Sequence, residues 1–216
     1  MVIRNRAKEV GAPLYFVRDR FKDELPLTNL KGLHQRQNAG AALLACELAN
    51  AFPINNDSAR LALQNIEWLA RWQEIKIPDG RTLIIDGSHN EEGITLTSSL
   101  LRELKSPTVI LGSLSLVRAE ALIKIVAESA GEIILVSIDH EHTIAANDLK
   151  GLIPKSFLGR IKIASVKDLF PAPQQCLVSG STVVVIGSLY LAGEVLARYY
   201  GKKLNSHLQD KLKNRP

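Results

Sequence analysis

Asp86, Ser88, His89 and Asn90 follow one another directly after the aliphatic and β-branched run Thr82-Leu-Ile-Ile85, and a helical pattern begins at Glu91. A carboxylate, a hydroxyl, an imidazole and an amide set between a buried strand and a helix start are suited to binding a diol or an anion. In open α/β sheets ligands sit outside the carboxyl ends of the strands, which is where these groups would project. An ionised acid closing a buried strand has to be hydrogen-bonded or solvated. A ribose diol would satisfy Asp86, and so would capping of the next helix through Gly87 and Ser88. His89 and Asn90 lie where backbone N–H groups and the helix dipole favour phosphate or carboxylate. Glu91 and Glu92 oppose this, because a like charge 4 Å from a phosphate oxygen costs about 4 kcal/mol at an effective dielectric near 20.

The same strand, turn and helix pattern recurs at Val183-Val-Val-Ile-Gly-Ser188, followed by Leu189-Tyr-Leu-Ala-Gly-Glu194, and a third Gly-Ser turn stands at Gly112-Ser113. Ser188 reads as an N-cap; in a parallel sheet it also emerges on the edge that carries Asp86 and His89. Gly32, His34, Gln35, Gln37 and Asn38 crowd the start of another helix, where amides bond a ligand or cap the helix itself. Asp139-His-Glu-His142 has the composition of a metal site but no further ligands at a recognisable spacing, and reads as surface. No P-loop, G-x-G-x-x-G, nucleophile elbow or zinc signature is present, and no catalytic residue is assigned.

Elements must hold these groups in place. Ile3, Ala7 and Val10 give an amphipathic helix over 2–11 that stops at Gly11, and Leu14-Tyr-Phe-Val17 reads as a short strand. Ala41, Leu44, Ala45 and Leu48 mark one face of a helix from His34 to Asn50; Asp57-Ser58 then cap a helix carrying Ala59 through Leu69. From Arg71 the period becomes two: Trp72 to Ile77, a Pro78-Asp79-Gly80 turn and Thr82 to Asp86 form a β-hairpin, with a domain boundary near 70. Beyond it helices over 91–104, 118–130, 145–151, 166–170 and 189–200 alternate with strands at 108–111, 132–136, 160–164 and 182–186. Unbroken apolar strands are buried on both faces, so the expected fold is α/β, a mainly parallel Rossmann-like sheet flanked by helices.

The chain has 216 residues, 46% hydrophobic and 23% charged, enough for one full domain and part of another. Its net charge of +5 is concentrated after Gly201, where Lys202, Lys203, Lys211, Lys213 and Arg215 face only Asp210. The remainder is nearly neutral, and the sparse aromatics do not interleave with basic residues, so nucleic acid is not expected as a partner. No apolar run approaches the roughly 20 residues of a membrane span, and the start lacks a signal-peptide core. Two isolated cysteines, Cys46 and Cys176, suit a reducing compartment. No membrane association and a cytoplasmic location follow as expectations.

Four motifs, Gly-Leu-His-Gln-Arg-Gln-Asn-Ala (32–39), Ala-Arg-Trp-Gln (70–73), Leu-Ile-Ile-Asp-Gly-Ser-His-Asn (83–90) and Val-Ile-Gly-Ser-Leu-Tyr-Leu-Ala-Gly-Glu-Val (185–195), resemble in order and spacing the carboxyl-terminal part of the folylpolyglutamate synthase and dihydrofolate synthase family, within the Mur ligase superfamily. The resemblance implies a Mur-ligase carboxyl-terminal-like domain over 70–200, preceded over 1–69 by the end of a central ATP-binding domain and followed by a basic tail at 201–216. It also implies an ATP-dependent ligase that phosphorylates a folate or dihydropteroate carboxylate and joins L-glutamate to it, inactive without the P-loop half and monomeric when complete. By motif, Asn38, Arg71, Asp86 and His89 would contact ATP, and His89 and Ser188 the glutamate. Magnesium ligands are expected upstream. A Mur-type peptide ligase fragment and a non-catalytic nucleotide- or glutamate-binding module are the alternatives. The chain departs from the pattern with Leu69-Ala70 in place of Pro-Gly, Glu91 in place of proline, and Leu116-Val-Arg-Ala119 where Asp-Lys-Asp is common.

Overall fold

A computed structural model describes residues 2–49, 54–88 and 91–201, with the backbone alone for Glu91 and Glu92. The chain separates into two compact units, residues 1–67 and 68–216.

The first unit is helical: α1 (Val2–Val10), α2 (Val17–Phe21), α3 (Leu33–Leu48) and α4 (Asn56–Leu63). Helix α1 ends at Gly11, whose φ of 66° is the left-handed turn the sequence calls for, and it buries no residue. The strand expected at Leu14–Val17 is absent. Residues 12–16 are irregular, and Val17 opens α2 with Asp19 and Arg20 N–H groups donating to the Phe16 carbonyl. A strand needs a partner, and none is present in this unit among the described residues, whereas a helical turn closes its own hydrogen bonds. The face of α3 is also rotated from expectation. Gln35, Ala39, Gly40 and Leu43 are buried, while Ala41, Ala45 and Leu48 are exposed. Gly40 explains the rotation, since a Cβ there would lie 2.7 Å from a Val17 methyl: the α2 segment packs directly on its backbone. Phe21, Ala39, Leu43 and Leu63 complete this small core. The cap of α4 is Asn55, whose side chain accepts from the Asp57 and Ser58 N–H groups at 2.9 and 3.0 Å, and the helix ends at Leu63 rather than reaching Leu69.

The second unit is a six-stranded sheet flanked by helices. Its strands are β1 (Gln73–Lys76), β2 (Thr82–Ile85), β3 (Thr108–Leu111), β4 (Glu132–Leu135), β5 (Arg160–Ile163) and β6 (Thr182–Ile186), in the spatial order β1-β2-β6-β3-β4-β5. Only β1 is antiparallel, joined to β2 by the turn in which Gly80 takes φ 86°; the other pairings are parallel. Helices α5 (Glu91–Arg102), α6 (Leu116–Ala127), α7 (Ala146–Gly151), α8 (Val166–Leu169) and α9 (Leu189–Tyr200) fill the connections. The start of α6 lies two residues before its expected position.

Successive strand residues point to opposite faces, and here both faces are covered. Leu83, Ile85, Ile110, Val183 and Val185 pack with Phe170 and with Leu191 and Val195 of α9. Ile84, Val109, Leu111, Val184 and Ile186 pack with Ile94 and Leu101 of α5 and Leu122, Ile123 and Val126 of α6. Each such fully buried aliphatic side chain contributes about 1.5–3 kcal/mol, so the sheet is a rigid platform for whatever leaves its ends. No described helix is long and apolar enough to cross a membrane. Apart from Gly201, the basic tail lies outside the described residues.

Candidate functional site

Three polar turns leave the carboxyl edge of the sheet from adjacent strands: Asp86-Gly87-Ser88 after β2, Gly187-Ser188 after β6 and Gly112-Ser113 after β3. Parallel pairing with Ile85 opposite Val185 and Ile186 opposite Leu111 aligns them in depth. The turns also touch. Gly187, at φ 110°, has the Gly112 carbonyl where a Cβ would stand, and a Cβ on Gly87 would meet the Leu189 side chain. Glycine at these places is what lets neighbouring turns approach closely enough to form one polar ledge.

Asp86 is only 5% exposed. Its Oδ2 accepts the Trp72 N–H and its Oδ1 the Ser88 N–H, both at 2.8 Å. The carboxylate therefore both closes its own turn and ties the end of β2 to the entry of the hairpin, a link that sequence spacing did not suggest. A carboxylate has about four acceptor positions, so two remain for a further donor such as a ribose hydroxyl.

The tie explains the backbone of residues 70–73. Ala70 and Trp72 both take left-handed φ values, 57° and 49°, which cost an L-residue about 1–2 kcal/mol each. The Gly87 N–H donates to the Ala70 carbonyl at 2.9 Å, and Ala70 N–H to Gln73 Oε1 at 3.2 Å. Between the two strained residues sits Arg71, half-buried, donating from Nη1 to the Ala70 carbonyl at 3.1 Å.

Between the β3 and β6 turns lies a cavity of about 250 Å³, lined by Ser113, Leu114, Ser115, Arg118, Gly187, Ser188, Leu189 and Tyr190. Ser188 is buried and caps α9, accepting the Tyr190 N–H at 3.1 Å. Ser113 Oγ donates to the Ser115 carbonyl at 3.0 Å and accepts the Ser115 N–H at 3.2 Å, which fixes the loop into α6. Behind Tyr190, His140 packs its ring at 4.4 Å. Nearby, Glu194 of α9 is 9% exposed and accepts the Asp139 N–H at 3.4 Å. Burial pushes its carboxyl above the ordinary range, against the opposing pull of that N–H and of Arg198. The Asp139–His142 segment thus packs against α9.

Of the residues singled out from sequence, Asp86 and Ser188 open on one sheet edge, with Arg71 tied to the Asp86 turn through Ala70. His89 and Asn90 lie outside the described residues. Asn38 belongs to the other unit, exposed on α3, and donates to Gln35 Oε1 at 3.3 Å. Two residues that line the cavity were not singled out from the sequence. Arg118 entered the sequence reading only as part of a departure from a motif, and Tyr190 only as an unassigned member of the 185–195 motif and its helix. The signal for Arg118 was its position shortly after a Gly-Ser turn at a strand end. No three His, Cys, Asp or Glu converge to hold a metal among the described residues.

No protein-family model matches the chain. Among curated proteins it is 25% identical over 177 residues to the dihydrofolate synthase/folylpolyglutamate synthase of Bacillus subtilis (strain 168), which covers 79% of this chain and 40% of the relative. The bifunctional folylpolyglutamate synthase/dihydrofolate synthase of Yersinia pestis CO92 superposes with a TM-score of 0.68 at 21% identity, over 90% of this chain and 49% of that one. The Mycobacterium tuberculosis folylpolyglutamate synthase, solved with ADP and AMPPCP, gives 0.65 at 17% identity, over 82% and 42%. The chain is therefore similar in sequence and fold to folylpolyglutamate synthases, and it spans less than half the length of each of these relatives.

Proposed function

We propose that this chain is the carboxyl-terminal portion of an ATP-dependent ligase that joins L-glutamate to the carboxylate of a folate or dihydropteroate acceptor. In that reaction the acceptor carboxylate takes the terminal phosphoryl group of ATP, releasing ADP. The glutamate amine then attacks the acyl carbon and phosphate leaves. Catalysis of this kind rests on positioning and on cations that offset charge on the transferring group. Magnesium, when bound, would supply part of that charge, with ligands from outside the described residues.

The observation that carries the reading is the run of three polar turns on one edge of a parallel sheet, in a chain whose similarity to a folylpolyglutamate synthase extends over 79% of its length. In support of nucleotide use, relatives have been solved with ADP and AMPPCP, and with AMPPNP and manganese. Under this reading Asp86 accepts from the ribose through the lone pairs its two backbone partners leave free. Arg71, held half-buried between two strained residues, contacts phosphate; its planar fork suits that task better than a lysine. Asn38 lies on the adenine side, His89 at the phosphate or the incoming glutamate, and Ser188 at the glutamate. The domain assignment follows: residues 1–69 complete a central ATP-binding domain and 70–200 form the glutamate ligase domain.

The test is ADP release by the chain alone and with a P-loop half of this family supplied as a second polypeptide. The chain alone is expected to be inactive, and the pair to release ADP only when glutamate and a reduced folate or dihydropteroate are both present. Arg71→Ala should lower kcat by about 10²–10³, the range for losing one transition-state donor. ADP release indifferent to glutamate would count against the ligase reading.

A further inference from the structure

We propose that the cavity between the β3 and β6 turns seats the side-chain carboxylate of the amino-acid substrate, and that Arg118 is the residue that selects it. This rests on the ligase reading, and names the group that would make the amino-acid site specific for a dicarboxylate.

Size comes first. Pockets for drug-sized ligands span roughly 300–1,000 Å³, and this cavity of about 250 Å³ falls below them. It is smaller than a site for a whole nucleotide and large enough for an amino-acid side chain.

Charge comes second. Among the described residues that line the cavity, Arg118 is the single charged one and none is a carboxylate. Its neighbours on α5 and α6 are paired, Arg102 with Glu128 at 2.9 Å and Lys124 with Glu120 at 2.8 Å. The exposed Lys105, Lys150, Lys155 and Lys167, like Arg118, carry no such pairing among the described residues but do not line the cavity. Arg118 has no hydrogen bond or ion pair among the described residues. A guanidinium facing a walled, acid-free cavity attracts an anion, and its fork matches a carboxylate in two parallel hydrogen bonds.

The hydroxyls then set the occupant's orientation. Ser188 Oγ uses one lone pair on the Tyr190 N–H, which leaves its proton to donate. The Ser115 hydroxyl, at the N-cap of α6, makes no capping bond and is likewise available. Ser113, engaged as both donor and acceptor, is a wall rather than a ligand. The amino termini of α6 and α9, each a twelve-residue helix, face the same space and add to the preference for negative charge. Tyr190, backed by the His140 ring, closes one side.

Arg118 is exposed, so its replacement should leave the fold intact. The 216-residue chain would be titrated with L-glutamate, L-glutamine and inorganic phosphate by amide NMR, as wild type, Arg118→Gln and Arg118→Lys. Glutamate should shift the Ser113 and Ser188 amides and bind at least about tenfold tighter than glutamine, a tenfold ratio being what one good charged contact supplies. Arg118→Gln should abolish that preference and Arg118→Lys restore part of it. Equal binding of glutamate and glutamine, a preference that survives Arg118→Gln, displacement of glutamate by phosphate at matched concentration, or no glutamate binding at millimolar levels would each overturn the proposal. Ligase activity in the paired polypeptides with an Arg118-independent preference would defeat the site assignment alone. An Arg118-dependent preference without ligase activity would defeat the ligase reading and leave the site standing.

Discussion

The two edges of the sheet are built from similar residue types and treat them differently. At the amino edge Glu132, 1% exposed, lies 2.9 Å from Lys162 Nζ and 3.6 Å from Arg160 Nε and accepts from Ser179 at 3.2 Å. Arg81 donates to Asp79 and to the carbonyls of Cys176 and Val178, and Thr108 Oγ1 donates to the Ser179 carbonyl. There both carboxylates are paired with a cation within hydrogen-bond distance, Glu132 with Lys162 and Asp79 with Arg81. At the carboxyl edge Asp86 is held by two backbone N–H groups, Arg118 has no counter-charge among the described residues, and hydroxyls keep donors to spare. A parallel sheet needs both ends held, but only surplus donors and unneutralised charge can bind something else. The amino edge is a clasp and the carboxyl edge a receptor.

Removing charge from the clasp should damage folding and spare binding. Glu132→Gln is expected to cost about 2 kcal/mol, the scale of hydrogen bonds to a charged group, read from urea midpoints, with ligand affinity unchanged. A loss of glutamate or nucleotide binding in the folded variant would break the distinction between the edges. The pH dependence sharpens it. Burial alone would raise the Glu132 carboxyl, but Lys162, Ser179 and Arg160 outweigh it and hold it below the ordinary range. A lowered carboxylate contributes stability that is complete above its unfolded value and lost as pH falls through the folded one. Wild type should therefore lose stability in acid below about pH 4.5 more steeply than Glu132→Gln. Glu194, raised by burial, contributes with the opposite sign, since folding becomes less favourable as pH climbs from its unfolded value through its folded one.

A smaller effect is expected where the receptor edge is strained. Ala70 has φ 57°, and glycine removes a left-handed cost of about 1–2 kcal/mol while losing about 0.4–1 kcal/mol to unfolded-chain entropy. Ala70→Gly should raise stability by up to about 1 kcal/mol. Destabilisation would mean that the Ala70 methyl, buried in the core, outweighs the backbone strain.

Much of this was legible in the sequence, and for definite reasons. Thr108–Leu111 and Thr182–Ile186 are aliphatic runs buried on both faces, and the structure has those strands with the expected bounds. The Asp79-Gly80 turn and the Ser188 cap are local chemistry, readable from adjacent residues. Leu14–Val17 misled because the β propensity of Tyr, Phe and Val says nothing about whether a partner strand exists. The face of α3 misled because it depends on Gly40 admitting Val17, a tertiary contact. The bond from Trp72 to Asp86 joins the residue before β1 to the residue after β2, and Arg118 is marked by the cavity it lines, a property that three-dimensional neighbours define.

The most direct test of the distinction between the edges is a map of amide shifts in the labelled chain on addition of L-glutamate, and separately of AMPPNP with magnesium. Shifts gathered at Ser88, Ser113 and Ser188, with Arg81, Glu132 and Ser179 unmoved, are the expected result. Saturable shifts centred on Arg81, Glu132 and Ser179, with the three carboxyl-edge serines unmoved, would contradict it.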